Sequence, residues 1–251
     1  MKIVTLLSGG MDSSTLLFYL LKSHKGAKIT ALGFNYGQRH RERELAAASN
    51  VAFVANHRYP GQVQFAVINL ESLTGLLTGS ALTDSTVDVP EGHYADETMK
   101  ATVVPNRNMM MLSIAGAVAV SQKAELLAFG AHAGDHPIYP DCRPVFVDLV
   151  NTTLRIANEG FGHPDLIVSA PFVGMSKTEI AVVGTNYAGV PFDLTWSCYK
   201  GGKKHCGACS TCGERREAFR DAGIVDPTEY EKSDREFWPW WESLGRAKAE
   251  N

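Results

Sequence analysis

The stretch KIVTLLSGGMDSSTLLFYLLK, residues 2–22, decides the fold. IVTLL at 3–7 is a short apolar run rich in strand formers, Gly9-Gly10 interrupts it, and STLLFYLLK at 14–22 carries a helical pattern. This is strand, glycine turn, helix. The alternation continues outward with ITALGFNY (29–36), RERELAAASNVAFVA (41–55), FAVINL (65–70), NMMMLSIAGAVAVSQ (108–122), ELLAFGA (125–131), VFVDLVNTTLRIANEG (145–160), LIVSAP (166–171) and KTEIAVVGTNYA (177–188). Repeated strand-helix units with nearly all-apolar strands predict an α/β fold with a doubly wound, mainly parallel sheet.

The pattern is interrupted twice. Residues 79–102 show no period and read as a lid, a binding loop or an insertion. After Pro191 the alternation stops: cysteines crowd residues 198–212, a short helix ERREAFRDAG follows at 214–223, and the end carries Trp238, Trp240 and Trp241 around Pro239. The expected division is an α/β domain at 1–190, a cysteine module at 191–226 and a tail at 227–251. The three tail tryptophans read as core-covering or subunit-contact side chains.

Composition narrows the function classes. The chain has 251 residues, 45% of them hydrophobic, and its 24 basic and 27 acidic side chains leave a formal charge of −3. An acidic balance gives no electrostatic footprint for wrapping nucleic acid, so small-molecule chemistry is the better expectation. MMMLSIAGAVAV at 109–120 is too short for a membrane span, which needs about 20 apolar residues, and reads as a buried helix. The opening MKIVTLLSGG has no secretory pattern, and five cysteines are an odd number for a disulfide framework. A cytoplasmic protein with metal-binding or reactive thiols is expected.

A glycine turn between a strand and a helix aims backbone N–H groups at one point, where the helix N-terminus adds positive potential, so an anion is expected there. LLSGGMDSS lacks the Gly-Lys-Ser/Thr of a Walker A loop and the spacing of a dinucleotide turn. The plainer alternative is that Asp12, Ser13 and Ser14 only cap the helix. Cys198, Cys206, Cys209 and Cys212 form C-x7-C-x2-C-x2-C, with glycines that permit tight turns. Four thiolates predict a closed, structural zinc site, with an iron–sulfur cluster second. His205 reads as a neighbour of that site, and Cys142 as a lone buried thiol.

Ser8, Gly9, Gly10, Met11, Asp12, Ser13 and Ser14 make a loop that resembles the Ser-Gly-Gly-x-Asp-Ser loop of the PP-loop ATP pyrophosphatase superfamily. Further strings widen the likeness: NYGQRHRERE (35–44), VPNRN (104–108), GAHAGDHPIYPDCRP (130–144), SKTEI (176–180) and LTWSC (194–198). With the four cysteines, they resemble the 7-cyano-7-deazaguanine synthases of the queuosine pathway from about residue 2 to about 227. The resemblance implies an adenine nucleotide alpha hydrolase-like fold and a carbon–nitrogen ligase. Such a ligase adenylates the carboxylate of 7-carboxy-7-deazaguanine with ATP and magnesium, uses ammonia to form the amide, and then dehydrates the amide to the nitrile, with AMP and pyrophosphate as products.

On the same resemblance, Ser8, Ser13 and Ser14 would bond phosphate oxygens, Asp12 would sit near magnesium, and Lys177 would contact the α-phosphate. Arg39, His40 and Arg107 are candidates to hold the substrate carboxylate or phosphates. Asp135 or Asp141 would accept from the guanine-like N–H edge, with Tyr139 stacked on the base. One departure is Asn106, where many relatives carry a small residue; it is expected to reshape the pocket. A homodimer fed by free ammonia is also implied. Rival readings are a homologue that stops at the amide, a transfer RNA thiolase or lysidine-type synthetase using Cys142 and Cys198, and a non-catalytic zinc-ribbon module.

Overall fold

A computed structural model describes residues 1–93 and 97–249. Residues 94–96, inside the long loop, and 250–251, at the end of the tail, lie outside the described residues. Five parallel strands, β1 (Lys2–Leu6), β2 (Lys28–Asn35), β3 (Val63–Asn69), β4 (Leu126–Ala128) and β5 (Ile167–Ser169), form one sheet in the order β3-β2-β1-β4-β5. The chain winds outward from β1 in both directions. The strand order therefore reverses between β1 and β4, and an open parallel sheet leaves a crevice at such a point.

Two apolar layers cover the sheet because β1 presents alternate side chains to opposite faces. Ile3 joins a core built with α1 (Met11–Ser23), α2 (Arg41–Arg58), α5 (Lys177–Val182) and α6 (Ser210–Asp221). Val4 joins a second core with α3 (Arg107–Ser121) and α4 (Pro144–Ala157). Leu16, Leu17, Leu20 and Leu21 of α1 are all buried, and burying each contributes about 1.5–3 kcal/mol. The doubly wound expectation holds.

Several boundaries differ from the sequence expectation. The KTEIAVVGTNYA helix widens into a π-turn over Val183–Ala188 and stops at Gly189 with φ +71°. Helix α6 starts at Ser210, four residues before Glu214, so Cys212 sits in its first turn. The helix expected at 109–120 as buried is present as α3, and it buries Leu112, Ala115, Gly116 and Ala119 along one face. Met99–Ser121 is long and apolar enough in composition to cross a membrane. The segment is not one continuous α-helix, because Asn106 takes a left-handed conformation (φ +58°) where α3 begins.

The tail forms α7 (Asp234–Ala249), which packs on the cysteine module. Trp241 is 1% exposed, and its ring lies so close to Gly213 that a Cβ there would meet it at 2.1 Å. The Trp241 indole N–H donates to Glu217 at 2.6 Å. The core-covering reading therefore fits Trp241. Trp238 and Trp240 take Arg220 and Lys232 over their rings at 4.0 and 3.8 Å. The module is tied to the main body by Arg215, fully buried, which donates to Thr195 Oγ1 (2.7 Å), the Phe192 carbonyl (3.0 Å) and Asp226 (3.2 Å).

Candidate active site

The loop after β1 lies at the reversal point, as the strand order requires. Gly9 has φ +83°, and a Cβ there would sit 2.4 Å from the Ala48 nitrogen and 2.7 Å from the Glu44 carbonyl oxygen. Only glycine permits both the left-handed turn and this approach of α2. The capping alternative for the serines does not match the geometry, because Gly10 is the N-cap of α1 and no side chain caps it. Ser13 Oγ instead accepts from the Ser8 N–H at 3.2 Å and lies 3.0 Å from Ser8 Oγ. Ser8, Gly10, Met11, Asp12 and Ser13 line one cleft; Ser14 is fully buried beneath it.

Lys177 is no solvated lysine. Its ammonium lies 3.1 Å from Asp12 and 2.8 Å from Glu214, and it approaches His132 Nε2 at 3.5 Å. Ser176, which precedes it, makes a reciprocal capping box with Glu179, so the side chain leaves a well-defined helix start. Burial alone would raise the Asp12 carboxyl, but Lys177 and then His132 outweigh it and hold the pKa below the usual value. Burial raises Glu214, partly offset by Lys177. Desolvation works against the Lys177 charge, yet Asp12 and Glu214 push its pKa up. Asp12 Oδ1 is buried without a hydrogen-bond partner among the described residues, which leaves one carboxylate oxygen open to a cation.

Across the cleft stand Tyr36, His40, Glu44, Arg107, Asn108, Asp135, Tyr139 and Tyr199. Arg107 faces Tyr36 and Tyr199 across the cleft, and its guanidinium carbon lies 6.0 Å from the centre of the Tyr139 ring. Among the described residues no carboxylate lies within ion-pair distance of Arg107, so a half-buried guanidinium faces the cleft without a counter-ion. His40 is buried; desolvation and then Arg107 lower its pKa to about 3, keeping the imidazole neutral. Burial raises Glu44 to about 7 against the opposing pull of Gln38 and Arg107. The Tyr139 hydroxyl lies 2.6 Å from Thr102 Oγ1, which fixes its ring at the cleft wall.

Three candidates fall elsewhere. Arg39 points away from the cleft and donates to the carbonyls of Val87 (2.9 Å), Ser85 (3.3 Å) and Ala81 (3.4 Å), pinning the long loop. Asp141 accepts from the Asn108 backbone N–H at 3.2 Å at the start of α3, so it anchors that helix. Asn106 is exposed outside the cleft, and asparagine suits its left-handed backbone. The long loop is held at both ends by buried Ser80, Ala81, Leu82, Met99 and Thr102. It also reaches the cysteine module, where Glu91 pairs with Cys209 along the backbone and with the Lys200 ammonium at 2.5 Å.

The sulfurs of Cys198, Cys206, Cys209 and Cys212 lie within 4.8 Å of one another and could hold a metal ion. Backbone N–H groups of Lys200 and Cys206 point at Cys198 Sγ (both 3.4 Å), and that of Cys209 at Cys206 Sγ (3.3 Å). His205 lies beside the cluster, its Nε2 accepting from the Ser197 N–H at 3.0 Å and its ring 4.2 Å from Trp196. Cys142 lines the cleft, and burial, followed by Asp135 and Asp141, drives its thiol upward, away from a nucleophilic thiolate.

Glu44, Tyr36, Tyr199, His132 and Glu214 join the site although the motif reading did not single them out. Glu44 was findable, since it falls four residues after His40 on one helix face. Glu214 carried no local signal and arrives from a helix of the cysteine module.

A glycine turn at the reversal point of a parallel sheet, with a four-cysteine module packed beside it, defines a doubly wound α/β protein whose first helix opens its N-terminus onto a cleft. Within that class the chain belongs to the family described as Queuosine biosynthesis protein QueC, whose profile matches residues 2–223. It is 49% identical over 239 residues to a 7-cyano-7-deazaguanine synthase of Allorhizobium ampelinum, covering 95% of each chain. It is 50% identical over 239 residues to one of Brucella anthropi, covering 95% of this chain and 96% of that one. Among solved structures, the NMN synthetase of Francisella tularensis aligns with a TM-score of 0.48 at 14% identity, over 98% of this chain and 85% of that one.

Proposed function

We propose that the protein is an ATP-dependent ligase that converts 7-carboxy-7-deazaguanine and ammonia to 7-cyano-7-deazaguanine. The observation that carries this reading is the pairing of a phosphate-cradling turn with Arg107, a half-buried cation with no carboxylate partner among the described residues, across one cleft in a chain about half identical to named synthases. A carboxylate is a poor electrophile, and transfer to the α-phosphorus of ATP converts its oxygen into a good leaving group. Ser8, Gly9, Gly10, Met11 and Ser13 hold the departing pyrophosphate, with Ser14 beneath them, and Lys177 exchanges its carboxylate partners for the α-phosphate. Asp12 would hold the magnesium that accompanies ATP, through the oxygen that has no partner in the protein; magnesium there would screen phosphate charge.

Arg107 grips the substrate carboxylate through its planar fork. Tyr139 stacks on the deazaguanine ring, and Asp135 accepts from its N–H edge. His40, neutral in the cleft, orients the substrate rather than supplying charge. Arg39 and Asp141 act one step back, through the long loop and the start of α3.

A single zinc ion per chain suits the four sulfurs. Tetrahedral Zn–S bonds of about 2.3 Å put sulfurs about 4 Å apart, close to the spacing here, whereas a cluster of several irons spreads its ligands wider. A cytoplasmic setting follows from unpaired thiols, and a second copy of the chain has an apolar face to cover on α4, where Val145, Leu149 and Ile156 are exposed.

The test is ATP turnover with the purified protein. AMP and pyrophosphate should form only with both 7-carboxy-7-deazaguanine and ammonia, and the product mass should be that of the nitrile, one water below the amide. Turnover independent of the deazaguanine overturns the reading.

A further inference from the structure

We propose that Glu44 is the base of the cleft: its carboxylate takes the proton that the attacking nitrogen must shed when ammonia displaces AMP from the activated carboxylate. The inference rests on the reading that this cleft activates a carboxylate as its adenylate. In that step a C–N bond forms, the C–O bond to AMP breaks with its electron pair going to the phosphate oxygen, and one nitrogen proton passes to Glu44. The acyl adenylate, ammonia and the Glu44 carboxylate thus become amide, AMP and the Glu44 carboxylic acid. Dehydration of the amide sheds two further nitrogen protons as its oxygen leaves on AMP, and Glu44, which gives up its proton to solvent after each transfer, accepts them in turn.

The placement comes first. Helix α2 is packed backbone to backbone on the phosphate turn, and the Glu44 carbonyl oxygen and Ala48 nitrogen are the atoms that a Gly9 side chain would strike. Glu44 therefore stands beside the place where the adenylate is made, and its side chain lines the same cleft. The carboxylate is held. Gln38 Nε2 donates to Oε2 at 2.9 Å while its own Oε1 accepts from the Tyr36 N–H at 3.0 Å, and the neutral His40 imidazole lies 3.4 Å away. The titratable and charged groups facing it are His40 at the start of α2, Tyr36 at the end of β2 and Arg107 from α3. Lys177 is already held by Asp12 and Glu214. A carboxyl poised near neutrality is suited to proton transfer at physiological pH.

The test separates activation from nitrogen transfer. Exchange of labelled pyrophosphate into ATP, driven by 7-carboxy-7-deazaguanine without ammonia, reports adenylation. Amide formation in a single turnover, expressed per free ammonia, reports transfer. Glu44→Gln keeps the shape and the Gln38 contact; transfer should fall about 100-fold or more while exchange stays within a few-fold. In the unmodified protein, transfer should rise with pH through about 7 and then level off, and this rise should be absent in Glu44→Gln. Glu44→Asp should transfer more slowly but keep the rise. Equal losses of exchange and transfer, or unchanged transfer in Glu44→Gln, would overturn the assignment, as would a flat transfer profile in the unmodified protein. Absence of exchange in the unmodified protein would instead overturn the ligase reading itself.

Discussion

Replacing Lys177 with Met tests the electrostatic centre of the site. The ammonium is 12% exposed and lies between Asp12, 21% exposed, and Glu214, 13% exposed. Its removal leaves two desolvated carboxylates facing a thioether. Breaking a buried pair costs about 3–5 kcal/mol. Burial already raises Glu214, so that carboxyl takes up a proton in the variant and limits the loss to about 3 kcal/mol at pH 7.5. For a chain of this size that is about 6–12 °C in Tm.

The sign of the pH dependence follows from linkage. In the unmodified protein Asp12 has a lowered pKa, so its contribution is present above the ordinary carboxylate value and lost only as pH falls through the lowered one. In Lys177→Met both carboxyls have raised values, so the folded variant is favoured at low pH and weakened as pH climbs. The deficit against the unmodified protein should therefore shrink to about 1 kcal/mol at pH 5. Urea unfolding at both pH values, followed by tryptophan fluorescence, measures it, and Glu214→Gln added to Lys177→Met should recover part of the loss at pH 7.5. A deficit under about 1 kcal/mol at pH 7.5, or one equal at both pH values, would refute the ion-pair account.

Glu44 supplies a second pH test. Its pKa is raised from 4.5 to about 7, so its contribution favours folding at low pH and is lost as pH rises through about 7. Glu44→Gln should stabilise the protein by up to about 3 kcal/mol at pH 8 and by almost nothing at pH 4, measured by thermal melts. Gly9→Ala imposes a left-handed residue and drives a methyl into α2. A loss of about 2–5 kcal/mol and of ATP binding by calorimetry is expected, and a variant within 1 kcal/mol of the parent would contradict the packing described. Cys206→Ser should abolish stoichiometric metal and lower Tm by about 6–12 °C, with the change reported by Trp241 fluorescence and metal analysis. Arg107→Lys keeps the charge but loses the planar fork; the KM for 7-carboxy-7-deazaguanine should rise about tenfold while that for ATP holds.

Local physics made much of this site legible in the linear chain. A strand, two glycines and a helix can only bring backbone N–H groups together at the turn, and Ser8, Gly10, Asp12 and Ser13 indeed line the cleft. Four cysteines within fifteen residues, separated by turn-permitting glycines, converge for the same reason. Arg39 and His40 show where this logic ends. They are adjacent and equally polar, yet the backbone sends one side chain to the carbonyls of 81, 85 and 87 and the other into the cleft. Asp135 and Asp141 part similarly, one lining the cleft and the other anchoring α3.

By itself the sequence determined the element order, the glycine turn and the thiol cluster, because each depends on neighbours a few residues apart. Only the tertiary structure decided what stands across from them. Lys177, Asp12 and Glu214 come from three helices and meet because the strand order reverses beside β1 and α6 packs against α5. Glu44 becomes a titration-shifted group only when packing removes its water, since desolvation in a low-dielectric cleft depends on the whole enclosure and on no single segment.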